Sequence, residues 1–92
     1  MQDSTPYEVT FAPAARRGLD RLPESAAFAL YEHLTGAVAS NPQRLGKPLD
    51  TPLDGVWSTR RGEYRALYTI DETTRTIAVV AVSHRRDAYR TR

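Results

Sequence analysis

Gly62-Glu63-Tyr64-Arg65-Ala66-Leu67-Tyr68-Thr69-Ile70 alternates its side chains with a period of two. In an extended chain Tyr64, Ala66, Tyr68 and Ile70 share one face, and Glu63, Arg65, Leu67 and Thr69 share the other. The segment is therefore a strand with an apolar face and an arginine on its opposite face. Arg61-Gly62 reads as the turn before it, and Val56-Trp57-Ser58-Thr59-Arg60 as the preceding strand. Asp71-Glu72-Thr73-Thr74 is a further turn. Thr76 to Val82 is nearly all β-branched or apolar, the pattern of a central strand buried on both faces. The C-terminal half is thus a three-stranded meander.

Upstream, Tyr7-Glu8-Val9-Thr10-Phe11 alternates in the same way and predicts a first strand with Tyr7, Val9 and Phe11 toward the core. Pro13 suits a helix start, where its missing N–H is not needed. Ala15, Leu19 and Leu22 fall on one stripe of a short helix that Pro23 ends. A second helix is predicted from about Glu24 to Ala39, with Ala27, Leu30, Tyr31, Leu34 and Val38 as its apolar face. Gly36 weakens it and Asn41-Pro42 stops it. Residues 42–55, rich in proline and glycine, read as irregular, with Leu45, Leu49 and Leu53 tucked across the core. No strand clearly precedes the turn at Asp54-Gly55. The fold class is α+β, a helical hairpin packed on a small, mainly antiparallel twisted sheet in the order β-α-α-β-β-β, with the 92 residues forming one domain.

A chain this short builds a modest core. It has no cysteine, so neither a disulfide nor a thiolate-held zinc can staple it. The two histidines are far apart and no set of carboxylates lies close together, so no metal and no cofactor are expected. No apolar run is long enough for a membrane span, and Met1-Gln2-Asp3-Ser4-Thr5 does not look like a secretory signal, so a cytoplasmic protein is expected. The charge is unevenly spread. Residues 1–54 carry five basic and seven acidic side chains, a net of −2, whereas residues 55–92 carry eight and four, a net of +4. Twelve of the thirteen basic residues are arginine, whose planar fork matches phosphate. Clustered arginine of this kind points to nucleic acid.

Arg65 is the sharpest candidate, because a strand holds an arginine more firmly than a loop does and firm placement matters for charge developing on a phosphoryl oxygen. Arg60 and Arg61 flank the adjacent turn, and periodicity does not choose between them as phosphate ligands. His84 and Arg85 follow the buried strand and point to different faces if it continues. His84 is either a general base or acid or a structural group, and Arg85 is a phosphate ligand. Arg86 and Arg90 add charge to the tail. Tyr89 either packs the end of the core or stacks on a base. Trp57 reads as core or interface, His33 as structural or solvated, and Asp87 as structural. With no metal motif, nucleophile elbow or phosphate loop, the reaction within reach of such residues is RNA cleavage, where the substrate's own 2′-hydroxyl is the nucleophile.

From Tyr7 to Arg90 the chain resembles the RelE/ParE superfamily of toxins from bacterial type II toxin–antitoxin pairs, and within it the RelE branch. The resemblance is carried by Tyr7-Glu8-Val9-Thr10-Phe11, Arg17-Gly18-Leu19-Asp20-Arg21-Leu22-Pro23, Asn41-Pro42, Gly46-Lys47-Pro48-Leu49 and Leu53-Asp54-Gly55. It is strongest at Arg60-Arg61-Gly62-Glu63-Tyr64-Arg65-Ala66-Leu67-Tyr68 and His84-Arg85-Arg86-Asp87-Ala88-Tyr89-Arg90. It implies a metal-independent endoribonuclease that cuts messenger RNA on the ribosome. The implied partners are a cognate antitoxin from the same operon, the ribosome with its message, and operator DNA reached through the antitoxin. It places the family's transition-state arginine on Arg65, its second arginine on Arg85, its tail tyrosine on Tyr89 and the arginine ahead of the hairpin on Arg60. Two lysines of the RelE pattern fall instead on Val56 and Ser58, and Lys47, ahead of the strand, is not an obvious substitute. The departure keeps two alternatives open: the ParE branch, which inhibits DNA gyrase on the same scaffold, and a non-catalytic RNA- or protein-binding module.

Overall fold

In a computed structural model, residues 6–49 and 55–84 are described. Among these residues five strands form one sheet in the order β1-β5-β4-β3-β2. They are β1 (Glu8–Phe11), β2 (Lys47–Pro48), β3 (Trp57–Arg61), β4 (Tyr64–Asp71) and β5 (Thr76–His84). The meander β3-β4-β5 is antiparallel as the sequence predicts. β1 lies parallel to β5, with Glu8 opposite Thr76 and Phe11 opposite Val79.

The helices α1 (Pro13–Asp20) and α2 (Glu24–His33) cover one face. Pro13 opens α1 as expected, and Ala15 and Gly18 are its buried residues. α1 approaches β5 so closely that a Cβ on Gly18 would lie 2.4 Å from the Val82 carbonyl oxygen. Alanine is the better helix former, yet Gly18→Ala is expected to destabilise by about 1–3 kcal/mol through overpacking. A thermal melt checks this, at roughly 4–8 °C of Tm per kcal/mol for a domain of this size.

α2 runs into a π-helical turn at Leu34–Val38, which spans Gly36 and which the regular helix predicted to Ala39 does not anticipate. Leu30, Leu34, Val38 and Ala39 are fully buried beneath it. Tyr31, expected in the core, is instead 48 % exposed and stacks on Phe11 with ring centroids 5.7 Å apart. Phe28 is 62 % exposed.

The segment expected to be irregular is ordered where it is described. Pro42–Leu45 forms a short helix, α3, and Lys47–Pro48 forms β2, which pairs antiparallel with β3 and adds a fifth strand to the four expected. A strand therefore does precede the Gly55 turn. Leu45 and Leu49 do not enter the core: Leu45 is exposed and both line a surface cleft. Leu53 lies outside the described residues.

Tyr68 organises this region. It is fully buried, and its hydroxyl donates to the Pro42 carbonyl at 2.7 Å. Burial pushes the phenol up to about 12, so it remains a donor across the physiological range. Gly46 passes directly over this hydroxyl; a Cβ there would fall 1.9 Å from it. A second tie starts from Gln43, the residue after Pro42. Tyr7 donates to Glu72 at 2.6 Å, Gln43 donates to the other carboxylate oxygen, and the Arg75 guanidinium lies 4.2 Å from the centre of the Tyr7 ring.

Alternation places Ala66, Tyr68, Ile77 and Val79 against the helices, where Val82 joins them. β5 is central, but its other face is only half-buried, not closed on both sides as its composition suggests. Its register steps between Leu67 and Tyr68: Leu67 is opposite Ala81 and Tyr68 opposite Val79, leaving Val80 unpaired. This bulge reverses the parity of β5 beyond it. Among the described residues no helix is long and apolar enough to cross a membrane.

Candidate nucleic-acid interface

Arg65 emerges from β4 between Tyr64 and Ala66, on the face away from the helices. Three strands meet there around a cleft of about 600 Å³, lined by Leu45, Lys47, Pro48, Leu49, Ser58, Thr59, Arg60 and Arg65. Among the described residues, every charged one in that lining is cationic. Arg60 on β3 stands directly opposite Arg65 on β4. Like charges paired across a ladder destabilise a sheet unless an anion lies between them. Arg65 is half-buried, and its Nε is buried without a hydrogen-bond partner among the described residues. A buried donor in that state is costly to leave unpaired. An oxyanion in the cleft would pair it.

The structure separates Arg61 from this group. It is opposite Tyr64, on the helix-side face, and lines a surface pocket with Phe28, Glu32 and His33. Ladder parity therefore distinguishes Arg60 from Arg61, which the sequence left equivalent. His84 also lies on the helix side. It is opposite Tyr64, with its ring edge-on at 5.2 Å between centroids, and its Nε2 is 3.7 Å from Glu63 Oε1. The residue that the ladder sets beside Arg65 is Ser83. Arg85, Arg86, Asp87, Tyr89 and Arg90 lie outside the described residues.

Lys47, not an obvious substitute for the missing lysines by sequence, is a cleft residue. It precedes β3 as expected, but it also forms an edge strand of its own, paired with Ser58 of β3. A two-residue strand between Gly46 and Pro48 leaves no period to detect. The usable signal was the run Gly46-Lys47-Pro48, in which an extended residue before proline can pair with a neighbouring strand.

Behind the cleft, His33 Nε2 lies 2.9 Å from Thr59 Oγ1, and Thr59 Oγ1 donates to the Leu45 carbonyl at 3.0 Å. The single hydroxyl proton is used on Leu45, so His33 Nε2 is the donor to Thr59. Burial, and then the nearby Arg61 charge, hold the imidazole below its ordinary pKa. A lowered folded-state pKa means that the unfolded chain takes up the proton first. This contribution to stability is whole above about pH 6.5 and is lost as pH falls through the folded value. His33→Gln keeps an N–H donor and removes the titration. Its urea midpoint is expected to change less between pH 7.5 and 5.5 than that of the wild type.

A family model described as the ParE toxin of the type II toxin–antitoxin system parDE matches residues 9–89. The chain is 42 % identical over 90 residues to Toxin RelE of Mycobacterium tuberculosis, covering 98 % of this chain and 93 % of that protein. It is 45 % identical over 85 residues to Toxin RelG of the same organism, covering 92 % and 98 %. Among solved structures, a chain of the toxin–antitoxin complex RelBE2 from Mycobacterium tuberculosis superposes with a TM-score of 0.86 at 41 % identity, over 92 % of this chain and 98 % of that one.

Proposed function

The chain belongs to the RelE branch of the RelE/ParE superfamily of type II toxin–antitoxin toxins, and from that footing we propose that it is a metal-independent endoribonuclease that cuts messenger RNA on the ribosome. One observation carries the reading: among the described residues, a half-buried strand arginine with its Nε unpartnered opens into a cleft whose charged residues are all cationic. Such a cleft suits a phosphodiester. In the reaction the substrate's 2′-hydroxyl gives up its proton to water as its oxygen attacks the adjacent phosphorus, and the bond to the 5′-oxygen breaks with that oxygen taking up a proton from water, leaving a 2′,3′-cyclic phosphate and a 5′-hydroxyl. Arg65 offsets the negative charge that develops on the phosphoryl oxygens. Arg60 holds the flanking backbone. Arg85 and Tyr89 are assigned to phosphate and base contacts on their residue type and on the resemblance, and Arg86 and Arg90 to phosphate on the charge they add to the tail. The cleft reading makes no use of Arg61 or His84, which stand on the other face.

Its protein partner is a cognate antitoxin, as in the RelBE2 complex. Bound antitoxin would neutralise the toxin, and operator DNA would be reached through it.

Primer extension on ribosome-bound message tests the reading. Discrete 5′ ends phased to the A site are expected, and a single 2′-deoxy substitution at the cleavage position should abolish them. The ParE description of the matching family model favours a second reading, inhibition of DNA gyrase. Intact message together with trapped gyrase–DNA breaks would select it.

A further inference from the structure

We propose that Lys47 is a third phosphate-binding cation of the cleft, acting with Arg60 and Arg65 on the RNA backbone. The inference rests on the nuclease reading above and adds a residue to it. Lys47 belongs to the edge strand β2, yet it lines the same cleft as the two arginines. The ladder puts it directly opposite Ser58, two residues from Arg60 on β3, and Arg60 in turn pairs with Arg65 on β4. Lys47, Arg60 and Arg65 therefore come from three successive strands and stand around one concavity.

The position is built, not incidental. Leu49 N donates to the Val56 carbonyl at 2.8 Å, which closes the strand pair beyond Lys47. On the other side Gly46 lies against the Tyr68 hydroxyl, and that hydroxyl holds Pro42. The backbone on both sides of Lys47 is thus fixed, while its side chain is exposed and makes no hydrogen bond or ion pair among the described residues. An ammonium on a flexible stem suits an exposed phosphate, while the half-buried guanidinium of Arg65 suits the one held deeper. Lys47 is also the chain's single lysine, so changing it removes a whole functional group from the protein.

The test uses the full chain and a single-stranded RNA made resistant to cleavage by 2′-O-methyl groups. Binding is measured across a salt series. Neutralising one single-strand phosphate contributes about −0.7 to the log–log slope. Lys47→Gln is expected to make the slope shallower by about that amount, to slow single-turnover cleavage of ribosome-bound message by about ten- to a hundredfold, and to leave the thermal melt unchanged. Lys47→Arg should keep the wild-type slope. The double variant Lys47→Gln/Ser58→Lys, which returns an ammonium from the neighbouring ladder position, should regain it. A Lys47→Gln protein with the wild-type slope and rate, beside a wild type that cleaves, would remove Lys47 from the cleft and leave the nuclease reading standing. A wild type that neither binds nor cleaves RNA would overturn the nuclease reading and this assignment together.

Discussion

Arg65→Ala is expected to reduce message cleavage by roughly a hundredfold to a thousandfold, about 2.7–4 kcal/mol of transition-state stabilisation, and to leave the protein folded. The two halves of this result have separate physical origins. The rate falls because a donor fixed on a strand is lost from the point where charge develops. The fold survives because Arg65 faces away from Ala66 and Tyr68, which carry the core side of β4. Removing the guanidinium also ends the like-charge opposition to Arg60 and takes away a buried Nε that has no partner among the described residues. Both changes favour the native state of the variant, so its melting temperature should equal or exceed that of the wild type. Growth arrest on induction, cleavage kinetics and a thermal melt together decide the matter. A folded variant that still arrests growth and cuts at full rate would exclude Arg65 from the chemistry.

Tyr68→Ala should do the reverse. The side chain is fully buried at the centre of β4, and truncating a large aromatic there costs about 3–5 kcal/mol. That is a large part of the 5–15 kcal/mol by which domains are typically stable. The loss extends beyond the cavity, because the phenol holds Pro42 and supports the bend at Gly46. The variant is expected to melt well below the wild type and to regain part of the loss on antitoxin binding, by mass action. Tyr68→Phe separates the two contributions. It keeps the ring, drops the hydrogen bond and leaves the Pro42 carbonyl buried, at about 1–3 kcal/mol. An alanine variant as stable as the wild type would show that Tyr68 does not organise the core.

Strong periodicity made the meander legible. Tyr64, Ala66, Tyr68 and Ile70 had to share a face, and that alone placed Arg65 on the other. The helical hairpin followed from Pro13, Pro23 and Pro42. What escaped detection depends on pairing, which a single strand does not encode. β2 is too short to show a period, so Lys47 looked like a loop residue. The bulge at Val80 leaves no mark in a run of β-branched side chains, yet it puts Val82 and His84 on the helix side. Unbroken alternation from Ile77 and Val79 would have set His84 on the same face as Arg65, opposite Glu63. Arg60 and Arg61 could not be separated until the register to β4 was fixed. The π turn at Leu34–Val38 likewise depends on how α2 settles over the sheet. For the tail from Arg85 onward the resemblance remains the sole guide.

The parallel pairing of β1 with β5 sets an order of assembly. The hairpins β2-β3 and β3-β4 join near neighbours and can close quickly, so the strands that form the cleft assemble locally. β1 is synthesised before β5 and has no strand to pair with until β5, where Thr76 to Val79 lie opposite it, has been made. A chain interrupted before β5 therefore leaves β1 unpaired and the surfaces of Leu30, Leu34 and Val38 without the sheet that buries them. Truncated products should be unfolded and quickly degraded, and the arrest of growth should be reserved to the finished molecule.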